Sequence, residues 1–457
     1  MRIFFALSLI ACTHFIQAQI NYSKIPLQDI GNGDNQLEIQ GLALNDSIFI
    51  AGYPTKKGPT KAFWILPSGE VVKLNSPELK DKLVVALASS GDSTYFYYLE
   101  QLKYTISLRA VVQSQQTGAI TSSNKSISFT GSFINIFHQG KHTYLLSIFK
   151  ERNEIHLSEI KGMERLKETF LISPVDLNTN LSPFSFVSEN EILSPHAASS
   201  LNKIYQQGNF LYIGIDQTKA VGGMAKTSIL KIDLKTGASE LRIIVDNSGK
   251  QFSTYMENDY IFKITKSRSA GAIISIYNLA DFSLHQTMKI NKETAIAQSR
   301  SFKKDFVKTT DKESVWDAIS NTSSGFIMAT PMDSMNFIVR LGSHHLIDRS
   351  GAAFIPVVSA FQVLAIVGSV ARVAALSLSE MESVDHYFYL KWDGKNEPVF
   401  ADKPVSAIQA IDTYDITMFK QKRKFEYKGY LQTHSKVFGF YQETGSTFLN
   451  ILLFETP

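Results

Sequence analysis

The chain has 457 residues, a formal net charge of +4 and a pI near 8.7, with 44% apolar residues. That apolar content excludes a disordered chain, and so mild a basic balance leaves no electrostatic footprint for nucleic acid. The single cysteine, Cys12, excludes a disulfide framework; if the chain is cleaved after Ala18, a zinc–thiolate site and a thiol nucleophile go with it.

The first element is an export signal. Met1-Arg2 puts one positive charge ahead of Ile3 to Ile10, apolar apart from Ser8, and small residues follow. Cleavage after Ala18 would remove residues 1–18 as an ordinary signal peptide, the reading adopted here. The alternative is Leu9-Ile10-Ala11-Cys12, which resembles the lipobox of bacterial lipoproteins and would leave a lipidated Cys12 at the new N-terminus. The expected address is the periplasm, the cell surface or the medium, with a lipid-anchored outer-membrane protein as the alternative.

From residue 20 on, one signal recurs. A polar pair opens a run of aromatic and β-branched residues at Asn45-Asp46, Gly91-Asp92, Gly140-Lys141, Gly208-Asn209 and Asn258-Asp259, at steps of 46, 49, 68 and 50 residues. An apolar run on the upstream side makes most of these sites β-hairpins. A second turn follows each, at Pro67 to Glu70, Thr117-Gly118, Lys161-Gly162, Lys235 to Gly237 and Ala280-Asp281. The unit is therefore two hairpins, four antiparallel strands in about 50 residues, the period of a β-propeller blade. The long step contains an insertion, Ser173 to Asn202, read as a surface excursion.

The pattern breaks at 292–321, a charged stretch read as one or two short helices. A sixth unit follows, with strands Phe326 to Ala329, Phe337 to Leu341, His386 to Trp392 and Pro398 to Ala401. A last unit, Phe425 to Glu455, shows three strands, and Ile20 to Ile30 is the candidate for its fourth. The expected fold is all-β: a β-propeller over residues 20–457, seven-bladed (six or eight as alternatives) and closed by an N-terminal strand. A pair of β-sandwiches is the rival.

Between the second and third strands of the sixth unit lies an apolar insert, within 343–385. Its centre, Ser350 to Ala371, runs 22 residues without a charge, between Arg349 and Arg372. That is long enough for a transmembrane helix, but Pro356, Gln362 and the strand pattern resumed at 385–457 argue against a span. The other readings are a buried cover on the β domain and an exposed contact for a partner or a membrane surface. In the contact reading the contacting residues are Phe354, Ile355, Val357, Val358, Phe361, Leu364, Ile366 and Val367.

The middle region resembles uncharacterised secreted β-propeller-like proteins of Bacteroidota. The likeness rests on the charged linker Lys303-Lys304-Asp305 to Lys312-Glu313, the strand end Arg340-Leu341-Gly342-Ser343, the apolar insert and the Tyr-Phe-Tyr strand at Tyr387; the Gln-Ala-Gln end of the signal is of the same kind. It implies an envelope address and no particular chemistry.

The candidate chemistry borders the insert. His344, His345 and Asp348 precede it, and Asp385 and His386 follow it. An insert between neighbouring strands leaves and returns at one place, so these metal-ligand types are brought near one another, although adjacent His344 and His345 face opposite ways in a strand. The alternative is that they are solvated strand-end residues. His138 and His142 flank a turn, and Asp412 with Asp415 and Glu189 with Glu191 are paired acids without a recognisable context. Phosphate-loop, nucleophile-elbow, zinc-protease and calcium-loop motifs are missing. The sequence therefore points to a non-enzymatic envelope or secreted binding or scaffold protein with no cofactor, which contacts a protein partner or membrane through a propeller face and residues 350–371. A secreted hydrolase or lyase with its site at the propeller mouth is the alternative.

Overall fold

In a computed structural model, the described residues are 19–26, 37–54, 61–74, 76–79, 82–102, 105–178, 184–187, 200–217, 225–246, 251–267, 271–290, 300–303, 306–308, 325–331, 336–348, 381–395, 399–400, 421, 425–432, 436–443 and 445–454. The chain is all-β. Among the described residues the only helices are two single 3-10 turns, Pro77–Leu79 and Lys150–Arg152. The described strands form seven sheets, and the chain divides into two compact units.

The first unit comprises Met1–Asn75, Asp305–Val307 and Lys403–Pro457. Its sheet one is a meander of Leu37–Leu44, Ser47–Pro54, Lys61–Ile65 and Val71–Leu74. Sheet seven holds Phe425–Gln432, Val437–Glu443 and Phe448–Phe454, and its fourth strand is Gln19–Pro26 from the other end of the chain. That strand pairs antiparallel with Phe448–Phe454, from Gln19 opposite Phe454 to Pro26 opposite Phe448. A single apolar cluster joins the two sheets, with Ile48, Ile50 and Phe63 packed with Ile25, Phe438 and Ile451.

The second unit comprises Ser76–Lys304 and Lys308–Asp402. Sheet two has Val84–Ser90, Ser93–Leu102 and Thr105–Ser114, and the place of its fourth strand is shared by two short pieces, Ile120–Ser122 and Ile127–Phe129. Sheet three is Ser132–Gln139, His142–Phe149, Glu154–Lys161 and Glu164–Ile172. Sheet four is Asn202–Gln207, Phe210–Gln217, Ala225–Asp233 and Ser239–Asp246, and sheet five is Gln251–Glu257, Tyr260–Ser267, Gly271–Asn278 and Leu284–Ile290. Sheet six contains Gly325–Pro331, Phe337–Asp348, Met381–Trp392 and Val399–Phe400.

Burial differs between the strands of a sheet, and the sequence explains it. Within the second strand of sheet three, Thr143 to Ile148 are all buried, and in sheet four so are Leu211 to Gln217. A strand covered on both faces reads as a near-continuous apolar run. The fourth strands of sheets three and four are exposed on most positions: Leu166, Phe170 and Ile172 in sheet three and Ile243 and Val245 in sheet four face solvent. Neighbouring sheets of the second unit share side chains. One cluster joins sheets two and three through Ala88, Tyr97, Ile136 and Leu145, and another joins sheets three and four through Leu146, Leu157, Ile204 and Ile213. Sheets five and six meet in an aromatic group in which Trp392 lies 4.8 Å from Tyr260 and 5.6 Å from Phe337.

The first turn of sheets one to five falls at the expected polar pairs, each closing a two-residue loop. The first turn residue has positive φ in all five, from 50° at Asn258 to 59° at Gly91 and Gly140, as both favoured hairpin turns require. This explains why only Asn or Gly stands there. Phe282 breaks the rule at the second turn of sheet five: its φ is 61°, at the place that Gly118 and Gly237 hold in sheets two and four.

Two expectations need correction. In the stretch 292–321, read as helical, the described residues are strands, Arg300–Lys303 and Phe306–Lys308. Arg300–Lys303 pairs with Val384 to Tyr387 along the free edge of the sheet-six hairpin, and that open backbone ladder outweighs local propensity. The insertion at 173–202 is also more than a surface excursion. Phe184–Val187 adds a parallel strand beside Asn202–Gln207. Val175, Leu177 and Phe186 join the core between sheets three and four, where Phe186 stacks on Phe137 at 5.3 Å. Their apolar side chains are what draw the segment inward.

Candidate functional site

The five candidate metal ligands fall on the long hairpin of sheet six. His344 stands opposite Asp385, His345 opposite Val384, Asp348 opposite Met381 and His386 opposite Ser343. Because alternate positions of a strand share a face, the register puts 344, 348 and 385 on one face and 345 and 386 on the other. The contact candidates Phe354 to Val367 lie outside the described residues, as do residues 1–18, Asp412, Asp415, Glu189 and Glu191. Among the described residues, no helix is long and apolar enough to cross a membrane.

His138 and His142 do not come together. They pair with Thr143 and Gln139 respectively, which places them on opposite faces of sheet three. His138 Nε2 donates to the Leu87 carbonyl oxygen at 2.7 Å, and its Nδ1 lies 3.1 Å from the Thr143 hydroxyl. It is a neutral link between sheets two and three, and burial holds its pKa below the usual imidazole value. His142 pairs with Glu159 on the surface at 2.6 Å. His156 is buried and bonded to Thr130 and Glu154, a structural use of the ring.

The most concentrated buried chemistry was not anticipated from the sequence. It joins sheets four and five. Asp216 ends the apolar run Leu211 to Ile215 and is 1% exposed. Its Oδ1 accepts from the Thr227 hydroxyl at 2.8 Å, and its Oδ2 accepts from the Thr254 amide at 2.9 Å. The Thr254 hydroxyl lies 2.9 and 3.0 Å from the two oxygens. Lys203, also 1% exposed, brings its Nζ to 3.4 Å from both Asp216 Oδ2 and the Ser253 hydroxyl. Burial pulls the Lys203 pKa down, and Asp216 opposes that shift. A carboxylate already receiving this many donors is a structural acceptor; removing either charge would strand the other in a low-dielectric interior. The legible signal was an acid inside an otherwise apolar central strand, which has to be paired.

Beside this joint, at the turn end of the same strands, is a cavity of about 480 Å³ lined by Tyr205, Gln207, Tyr255, Met256, Glu257 and Asp259, among others. The Tyr205 and Tyr255 rings meet edge to face, 5.7 Å apart at 90°. With its amide oriented to satisfy both groups, Gln207 donates to the Asn258 carbonyl at 3.0 Å and accepts from the Asn258 amide at 3.3 Å, tying the two turns together.

No protein-family model and no curated protein matches the chain. Solved structures give distant likenesses. The β-propeller domain of the Trilobed protease from Pyrococcus furiosus aligns over 93% of this chain and 94% of its own at 7% identity, with a TM-score of 0.42. The GH43_1 enzyme from Xanthomonas citri aligns over 60% of this chain and 95% of its own at 9% identity, with a TM-score of 0.30. Acylaminoacyl peptidase from Pyrococcus horikoshii aligns over 89% of this chain and 49% of its own at 7% identity, with a TM-score of 0.37, so this chain spans about half its length. At such scores nothing of their chemistry transfers to this protein.

Proposed function

We propose that the protein is an exported, non-enzymatic binding or scaffold protein, built as a seven-bladed β-propeller with Gln19–Pro26 completing its last blade. Its apolar insert contacts a protein partner or a membrane surface through Phe354, Ile355, Val357, Val358, Phe361, Leu364, Ile366 and Val367. Two features support the propeller: the four-stranded meander repeated along the chain, and the packing of each sheet in the second unit on the next in sequence.

The observation that carries the functional reading is the hairpin of sheet six. Its strands, Phe337–Asp348 and Met381–Trp392, are twelve residues each and stay in register to the last pair, Asp348 opposite Met381. Gly325–Pro331 pairs only as far as Ser343. The last five positions run on beyond that edge strand, and the last three, Leu346 to Asp348, also run beyond Arg300–Lys303 on the other edge, about 10 Å at the rise of a β-strand. The chain delivers residues 349–380 from one point and takes them back at the same point. A stalk of this kind is suited to presenting a contact segment without disturbing the sheets.

The test is to replace residues 349–380 with an Asn-Gly turn joining Asp348 to Met381. The expected result is an unchanged circular dichroism spectrum, with loss of co-sedimentation with envelope membranes and of co-purifying protein. A variant that fractionates and co-purifies like the parent would overturn the proposal.

A further inference from the structure

The outer strand of sheet three turns an apolar surface to solvent. Phe170 is 57% exposed and Ile172 80%. Their cross-strand partners are His156 and Glu154, and Glu154 in turn stands opposite Phe149. Residues opposite one another, and alternate residues along a strand, share a face. Phe149, Glu154, Glu168, Phe170 and Ile172 therefore lie on one side of the sheet. The Phe170 ring is held there. It meets the His156 ring edge to face, 4.6 Å away at 83°. His156 is itself fixed at both nitrogens, by the Thr130 hydroxyl at 3.0 Å and the Glu154 carboxylate at 2.8 Å. A buried histidine thus orients an exposed phenyl ring before anything binds, which lowers the ordering cost of binding.

We propose that this face of sheet three binds a neutral polysaccharide chain laid across Phe170 and Ile172. A pyranose ring has faces of C–H groups and a rim of hydroxyls. It lays a face on an aromatic or aliphatic surface, while its hydroxyls give hydrogen bonds to carboxylates and take them from guanidinium groups. Both kinds of partner are present. Glu154 and Glu168 supply carboxylates, each 25% exposed. Arg165 is held between Glu168, at 3.0 Å, and the Ser128 carbonyl oxygen, and Arg152 sits 5.0 Å over the Phe149 ring. These two acids and two bases cancel, so the surface has no net charge to favour an ionic ligand. It is also open and elongated. Phe170 and Ile172 stand about 7 Å apart at the rise of a β-strand, longer than one sugar ring, which selects a chain of sugars over a single unit. The surface belongs to sheet three and the insert to sheet six, so either proposal can fail without the other.

The experiment is calorimetric titration of the full chain with cellohexaose, maltohexaose and mannohexaose, with glucose, and with the acidic tetragalacturonate. At least one neutral hexaose should saturate the protein at roughly millimolar concentration or below, and should bind more tightly than glucose. Added salt should leave its affinity unchanged, since no net charge is paired. Phe170→Ala should weaken it about tenfold, the loss of one stacked ring, and Phe170→Tyr should retain it. Ile172→Ser, at so exposed a position, should weaken it about threefold and keep the parent's melting curve. The proposal is overturned if no hexaose saturates, if Phe170→Ala and Ile172→Ser both bind like the parent, or if tetragalacturonate binds more tightly than every neutral hexaose.

Discussion

Two joints in the second unit make an instructive pair. Sheets three and four are held by hydrocarbon: Leu146, Leu157, Ile204, Ile213 and Ile232 fill the space between them. Sheets four and five are held by Asp216 and the groups around it. Both joints are fully buried, and both use the strand Phe210–Gln217. They differ in what they tolerate. An apolar joint accepts any side chain of about the right volume, whereas a buried ion pair accepts one arrangement of donors and acceptors.

The largest expected effect comes from breaking the polar joint. Asp216→Ala leaves the buried Lys203 amine without its counter-charge, and should cost about 3–5 kcal/mol in urea unfolding. The double variant Lys203→Met, Asp216→Leu should recover a substantial part of that loss; if it is as unstable as the single variant, the pair is not the source of the effect. Ile232→Val, a one-carbon change at the apolar joint, should cost about 0.5–1.5 kcal/mol. The similarly conservative Asp216→Asn should cost more, since it removes a charge from a paired, buried site. Equal losses would erase the distinction between the joints.

Titration sharpens the comparison. Lys203 has a folded pKa below its usual value of 10.5. Between the lowered value and 10.5 the unfolded chain binds more protons than the native one, so stability should rise with pH across that window and fall as the pH drops through the folded value. Urea midpoints followed from pH 7 to 10.5 should show this rise in the parent and a flatter profile in Lys203→Met. The smallest effect concerns space alone. A Cβ on Gly214 would stand 3.6 Å from Met256 Cε and 3.9 Å from the Lys203 carbonyl oxygen, ordinary contact distances. Gly214→Ala should therefore be neutral or stabilising by up to about 1 kcal/mol in thermal melts. A clear loss would mean that the joint between sheets four and five is limited by packing and not by charge.

The same contrast explains what the sequence made legible. Alternating turns and apolar runs located the hairpins because each signal is local: Asn45, Gly91, Gly140, Gly208 and Asn258 are needed by their own turns. The fourth strand of the last sheet could be sought in residues 20–30 because the C-terminal repeat was one strand short. The polar joint escaped notice because its parts, Lys203, Asp216, Thr227 and Thr254, come from four strands and two sheets, and no local spacing links them. The strand Arg300–Lys303 was missed because its partner lies some eighty residues downstream, and the parallel strand Phe184–Val187 because a proline-bearing insertion conceals it. On the sheet-six hairpin the approach of His344 to Asp385 followed from strand adjacency, while the separation of 345 and 386 from the other three positions depends on register, which only the structure supplies.

The pairing of Gln19–Pro26 with Phe448–Phe454 also bears on biosynthesis. Gln19–Pro26 is made more than four hundred residues ahead of its partner strand. Until Phe448–Phe454 is made, Gln19–Pro26 lacks its partner and Ile25 lacks its cover, so nascent intermediates of this protein should depend on a holdase. Residues inserted directly ahead of Gln19 or behind Phe454 would press on the seam between these two strands.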